Sequence, residues 1–412
     1  MTNAMALLIK NALLDGTLTD CLIEGGIFTA VSPCADAPAD ARVLDAEGAF
    51  IVPPFYNCHT HAPMNLFRGM ADDLELFDWL QNHIWPAEAE LTPSDIRRGA
   101  AMAAREMARS GTVFFNDMYW HEEQVLDIAV ESGLRACIGP CLIDGPDGKL
   151  RRSCLAELAL VRRRIACLPP AARRRIRFAY APHAVYTVSE DSLCKVAEMA
   201  AGDQDSLIHV HASETEREVR DCKAKYGISP IALLDRCGLL GNRTILAHCV
   251  HLSEDDMELI ASRGATISHQ PCSNFKLCSG IFNYDGAVRR HKCRLAVGTD
   301  GSASNNNLSM FDEMKLAALS AKIGSGDPTC GKAPEIVAAA TAAGALAFGF
   351  GSGRIAVGEP GDALLLDAAS PMMAPCHSLA SNAVYSADTS CVRATICDGR
   401  VLYDSTQRQE KQ

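Results

Sequence analysis

FIVPPFYNCHTHAPMN, residues 50–65, opens on an apolar run and closes on His59-x-His61 followed by a proline turn. In an open doubly wound sheet the first strand-to-helix turn carries a glycine-rich phosphate loop. This turn reads CHTHAPMN instead, which sets that architecture aside. Working outward, seven more apolar or β-branched runs follow: GTVFFNDMYW (111–120), RACIGPCLI (135–143), IRFAYAPH (176–183), SLIHVHAS (206–213), TILAHCVH (244–251), GATISHQP (264–271) and RLAVGTDG (294–301). Helical periodicity separates them, as in AAMAAREMARS, LCKVAEMAA and DDMELIASR. Eight strands alternating with helices predict an α/β fold, a closed (β/α)8 TIM barrel.

The flanks read differently, as short alternating strands with little helix. VRATICDGRVLYD is a hairpin pattern whose Asp398-Gly399 suits a type I′ turn. Neither flank buries a core alone, so both chain ends are expected to meet in one small β-sandwich domain, residues 1–52 with 354–412, beside a catalytic barrel of 53–353. Two insertions, 62–95 after the first strand and 144–175 after the third, fall where barrels bind substrates.

Composition narrows the function. The chain has 412 residues, with 39 Lys plus Arg against 50 Asp plus Glu and a net charge of −11, which argues against nucleic acid or an anionic membrane as partner. No apolar stretch approaches the ~20 residues that span a bilayer. Eighteen cysteines in a long chain that opens MTNAMALLIK point to reduced thiols and a cytoplasmic location. A homo-oligomer is compatible with all of this.

Most of the twelve histidines fall at the ends of the expected strands: His59 and His61, His183, His209 and His211, His248 and His251, and His269. Asp300 ends the eighth. A barrel gathers such positions at one mouth, and His-x-His on a strand sends both rings to one face. Neutral imidazoles with one carboxylate are the donors a catalytic divalent cation takes, and His59, His61, His211 and Asp300 supply them.

The ordered set NCHTH, HVHASE, LAHCVH, SHQPCSN and VGTDGSASNNN resembles the amidohydrolase superfamily. RGMADDLELFDWLQNHIWPAEAEL, after the first strand, is similar to the branch that deaminates S-adenosylhomocysteine, 5′-methylthioadenosine and related adenosines. The resemblance implies a hydrolytic deaminase that converts a 6-amino group to 6-oxo and releases ammonia. It implies His59, His61, His211 and Asp300 as metal ligands, Glu214 as proton shuttle and His248 as the residue that orients the attacking water. Asp300 then helps carry a proton to the leaving amine. In the lid, Glu88 matches the carboxylate that accepts from the ribose 2′ and 3′ hydroxyls, His183 matches a donor to the adenine ring, and Trp79 walls the pocket. Dinuclear relatives carry a lysine at the end of strand four, where RIRFAYAPH has none. One metal is therefore expected, zinc first and iron second. Pro54 departs from the glycine usual in the family. Lys149, Arg151 or Arg152 in DGPDGKLRRS would meet a charged 5′ tail. A free base such as guanine, or a halogenated triazine, is the alternative substrate for the same ligands; a non-catalytic binding barrel would lack part of the set.

Other signals carry less. The arginines at 162–164 and 173–177 lack interleaved aromatics and read as solvated helix ends. Cys137 and Cys141, four apart on one strand, read as core thiols.

Overall fold

The computed structural model describes residues 6–406, so residues 1–5 and 407–412 of the expected end domain lie outside it. Five strands come first: β1 (Leu7–Leu14), β2 (Thr17–Glu24), β3 (Ile27–Ser32), β4 (Arg42–Asp45) and β5 (Phe50–Val52). The barrel strands are β6 (Phe55–Thr60), β7 (Thr112–Tyr119), β8 (Arg135–Leu142), β9 (Ile176–Pro182), β10 (Leu207–Ala212), β11 (Thr244–His248), β12 (Thr266–His269) and β13 (Arg294–Val297). The chain ends with β14 (Ala363–Leu366), β15 (Val392–Cys397) and β16 (Arg400–Asp404).

The barrel strands pair in parallel, each with its neighbours in sequence. Closure between the last and the first is made just past β13. Gly298 N donates to His269 O, and Thr299 N and Asp300 N reach His59 O at 3.2 and 3.0 Å. Only glycine fits at 298, because a Cβ there would lie 2.6 Å from the backbone N of His59. The Asn57 side chain completes the seam, donating to Thr299 Oγ1 at 2.7 Å and accepting from Thr299 N at 2.9 Å.

The first apolar run of the sequence is split between the two units. Phe50–Val52 pairs with β1 and β14, whereas Phe55–Thr60 starts the barrel. Pro53 and Pro54 between them have no N–H to give to either ladder, which makes them a seam between sheets.

Both chain ends share one mixed sheet, in order β16-β15-β14-β5-β1-β2-β3 with β4 on β1. Its junction is the antiparallel pair β5–β14. The sheet has a core of its own, including Ile9, Ile23, Phe28, Ile51, Leu365 and Ile396. The β15–β16 hairpin turns through Asp398 and Gly399 at φ 55° and 74°, both positive as a type I′ turn requires. We propose the seams at 52/53 and 353/354 as the domain boundaries.

Buried charge ties this sheet to the barrel floor. Arg135 on β8 donates through Nε and Nη2 to the two oxygens of Asp362, at 2.7 and 2.9 Å, and Tyr56 on β6 reaches the same carboxylate at 3.1 Å. No helix among the described residues is long and apolar enough to cross a membrane. Every cysteine is free, and Cys137 and Cys141 are buried.

Candidate active site

The barrel mouth opens into a cavity of about 820 Å³. Its floor is set by strand ends. His59 lies on β6 and His61 just past its end, His211 is the penultimate residue of β10, His248 ends β11, and Asp300 follows β13. Three residues here have left-handed backbones, Ser213 at φ 52°, His248 at 71° and Asp300 at 63°. Such conformations cost roughly 1 to 3 kcal/mol each and are kept where surroundings over-determine them. Here His248 N donates to the Gln270 side chain at 2.9 Å, and Asp300 N to His59 O.

Each histidine has its Nδ1 fixed by a separate partner. His61 donates to Met118 O at 2.6 Å, His211 to His183 O at 2.8 Å and His248 to Asn274 Oδ1 at 2.8 Å; His59 Nδ1 faces His209 Nε2 at 2.8 Å. With Nδ1 protonated, the Nε2 of His61 and of His211 is a lone pair aimed inward, whereas at His248 the carboxylates of Glu214 and Asp300 outweigh burial and favour the protonated ring. The Nε2 atoms of His61 and His211 stand 3.2 Å apart, and the fully buried Nε2 of His59 has no hydrogen-bond partner. Two lone pairs in contact beside an orphaned third make sense as cation ligands. Asp300 Oδ1 lies 3.4 Å from His59 Nε2 and 3.3 Å from His61 Nε2. Its other oxygen accepts from Ser273 and Ser304 at 2.7 and 2.9 Å. The donor atoms of His59, His61 and Asp300, and those of His59, His211 and His248, fall within 4.8 Å of one another. The residues present therefore fit a divalent ion.

Electrostatics agree. Burial, only partly offset by Asp300, pulls His59 down to about 4, and burial with neighbouring histidines pulls His183 down to about 3. Both stay neutral, the form that ligates or accepts. Burial works against a charged Asp300 too, yet the histidines around it outweigh this and hold it well below the usual carboxylate range.

Glu214 is buried at the cavity wall, with Oε2 3.8 Å from His248 Nε2 and Oε1 accepting from Ser279 at 3.2 Å. Burial pushes its carboxyl up, against the pull of His248. The backbone N–H groups of Ser213 and Glu214 both donate to Glu218, at 3.0 and 2.8 Å, which fixes the turn that carries the shuttle candidate.

The first insertion forms a lid of short helical turns over Leu76–Glu88. Trp79 is 4% exposed and faces the cavity, as do Leu80, Trp85 and Glu88. Phe77 anchors the lid, 5.4 Å edge-on from Tyr186 and under the Arg217 guanidinium at 4.1 Å. Burial raises Glu88, while Tyr119, His61 and Trp120 beside its carboxylate pull the other way. His183 also lines the cavity, with Nδ1 2.9 Å from Thr187 Oγ1. Of the three basic candidates in the second insertion, Arg151 lines the cavity and Lys149 and Arg152 do not.

Sequence reading gave no role to several residues of this site. His209 supports His59, Asn274 orients His248, Ser273 and Ser304 hold Asp300, and Tyr119 and Trp120 face Glu88. For His209 a signal existed, since period two puts it on the same strand face as His211.

The model of the Amidohydrolase family matches residues 50–402. The chain belongs to that family. It is 45% identical to a 5′-deoxyadenosine deaminase of Methanoregula boonei over 87% of this chain and 80% of the relative. It is 40% identical to a 5-methylthioadenosine/S-adenosylhomocysteine deaminase of Thermococcus kodakarensis, over 97% of this chain and 94% of that one. Among solved structures, an adenosine deaminase from Xanthomonas campestris with bound zinc superposes at TM-score 0.87 and 34% identity, covering 96% of this chain and 92% of the other.

Proposed function

We propose that this protein is a metal-dependent hydrolytic deaminase of adenosine-type nucleosides, with 5′-deoxyadenosine, 5′-methylthioadenosine, S-adenosylhomocysteine and adenosine as the substrate class. The observation that carries this reading is one cavity holding the imidazole and carboxylate donors, Glu214, and the lid carboxylate Glu88 together. A free base offers nothing to Glu88, whereas vicinal ribose hydroxyls each donate to one of its oxygens. The relatives named above support the same class.

His59, His61, His211 and Asp300 would hold the ion, zinc before iron. A bound divalent ion supplies Lewis acidity, bringing a water to hydroxide near neutral pH. Glu214 accepts the proton of the attacking water and delivers it to a ring nitrogen, so that negative charge does not accumulate as the purine C6 becomes tetrahedral. His248, its Nδ1 held by Asn274, stabilises the oxygen of that adduct by donating from Nε2 as the imidazolium, the form that Glu214 and Asp300 favour against burial. Asp300 takes the remaining proton of the added hydroxyl and passes it to the departing amine, which leaves as ammonia while C6 becomes the carbonyl. Trp79 walls the base. His183 Nδ1 faces a hydroxyl that itself reaches Ala184 O at 3.1 Å, so donation from the His183 ring to the adenine requires the Thr187 hydroxyl to turn. Arg151 meets the carboxylate of an amino-acid 5′ tail.

Glu88 provides the test. Glu88→Ala should cost about 1.5 to 3 kcal/mol per lost charge-assisted bond with a ribonucleoside, and clearly less with its 2′-deoxy counterpart. Equal losses for both would mean general damage to the lid and would remove the nucleoside assignment.

A further inference from the structure

We propose that Asp117, backed by Glu122, is a positioning residue that holds the His59-x-His61 strand end in metal-binding geometry. The inference rests on the metal site proposed above and reaches behind it, to side chains that touch neither ion nor substrate.

Asp117 lies on β7 and is fully buried. Its Oδ1 accepts from Thr60 Oγ1 at 2.6 Å and from Ala62 N at 2.7 Å. Those are the residues on either side of His61. The next carbonyl along, Met118 O, takes the Nδ1 proton of His61 at 2.6 Å. One dipeptide of β7 therefore fixes the backbone around His61 and its ring.

Glu122 explains why Asp117 can do this while buried. It starts the helix Glu122–Ser132 directly after His121, whose backbone is left-handed at φ 52°, and its own N–H is tied to Glu157 Oε1 at 2.8 Å. Both Glu122 oxygens and Asp117 Oδ2 are buried without a donor in hydrogen-bonding geometry, and the two carboxyl groups lie against each other, with the Tyr119 backbone beside Glu122. The charged groups facing Glu122 are Asp117 and Glu157, both acids. Two ionised carboxylates cannot share such a place without a cation, so one carries a proton. Burial, then the neighbouring acids, push Glu122 well above its ordinary range. Glu122 is thus the neutral acid that donates to Asp117 Oδ2, leaving Oδ1 free to accept two bonds.

The test measures zinc affinity of apoprotein by competition with a chelator, with circular dichroism to verify folding. Asp117→Ala should bind zinc about 10- to 100-fold more weakly, the usual effect of losing a group that orients a ligand. Glu122→Ala should weaken zinc several-fold, and Glu122→Gln, whose amide can donate as the protonated acid does, should restore most of that loss. Wild-type zinc affinity in folded Asp117→Ala would overturn the proposal, as would Glu122→Gln behaving like Glu122→Ala. Should Asp117→Ala fail to fold, Thr60→Val decides. It removes one of the two bonds to Oδ1, so a loss of about threefold or more supports the proposal and unchanged affinity overturns it. Zinc affinity does not depend on substrate. If these variants behave as stated but no nucleoside is deaminated, only the deaminase reading fails.

Discussion

In the proposed reaction Glu214 and His248 divide the work between proton transfer and charge stabilisation, and their surroundings differ accordingly. Glu214 is held through its backbone by Glu218 and its side chain is free to change partners, whereas His248 is pinned by Asn274 and Gln270. Glu214→Gln keeps the shape but cannot accept a proton. Its turnover should fall at least ~100-fold, the low end for general acid/base catalysis, with metal content unchanged by elemental analysis. Arg151→Ala separates substrates in another way. The kcat/KM for S-adenosylhomocysteine should drop tenfold or more, about the worth of a hydrogen bond to a charged group, while that for 5′-methylthioadenosine stays within about twofold. Parallel losses on both would place Arg151 in the lid's structure rather than in tail recognition. At this scale the sequence discloses donors more readily than their supports. His59, His61 and, beside His211, His209 show themselves through strand periodicity, but Asn274 and Tyr119 acquire meaning only once β6, β7, β11 and the residues after β12 are adjacent, and no local pattern encodes that adjacency.

Elements were legible where burial imposes a period and less so where two units compete for one segment. All eight barrel strands fall within the apolar runs. The first run nevertheless feeds two sheets, because the prolines at 53 and 54 interrupt both ladders, and a reading based on hydrophobicity joins what the backbone divides. Barrel closure is equally local: Gly298 permits the approach, and Asn57 with Thr299 clamps it. The joint between barrel and end sheet rests on charge. Arg135 is the bidentate partner of Asp362, with side-chain exposures of 4% and 5%. Arg135→Ala leaves that carboxylate buried without its main cation and should cost about 3 to 5 kcal/mol in denaturant unfolding. A change below about 1 kcal/mol would show that the surrounding arginines compensate. Restoring stability by pairing Arg135→Ala with Asp362→Ala would confirm that the loss came from the stranded charge.

Across the whole molecule, one barrel mouth brings together groups from all eight strand ends or the loops after them, and one lid closes over them. A single divalent ion per chain is expected by elemental analysis, and His61→Ala or Asp300→Ala should remove most metal and activity together. Two tightly held ions per active chain would overturn the mononuclear reading. Ligand convergence could be read from spacing, since histidines at strand ends meet in any barrel. The depth of the cavity, and which basic residue of the second insertion reaches it, depend on how loops pack and had to come from the fold. The most direct measurement is an ammonia-release comparison on zinc-loaded protein, taking kcat/KM for 5′-deoxyadenosine, 5′-methylthioadenosine, S-adenosylhomocysteine and adenosine beside guanine, cytosine and a chlorotriazine. The nucleosides should be turned over with at least one of them far ahead of every free base and triazine. Better turnover of guanine or of a triazine than of any nucleoside would contradict the account.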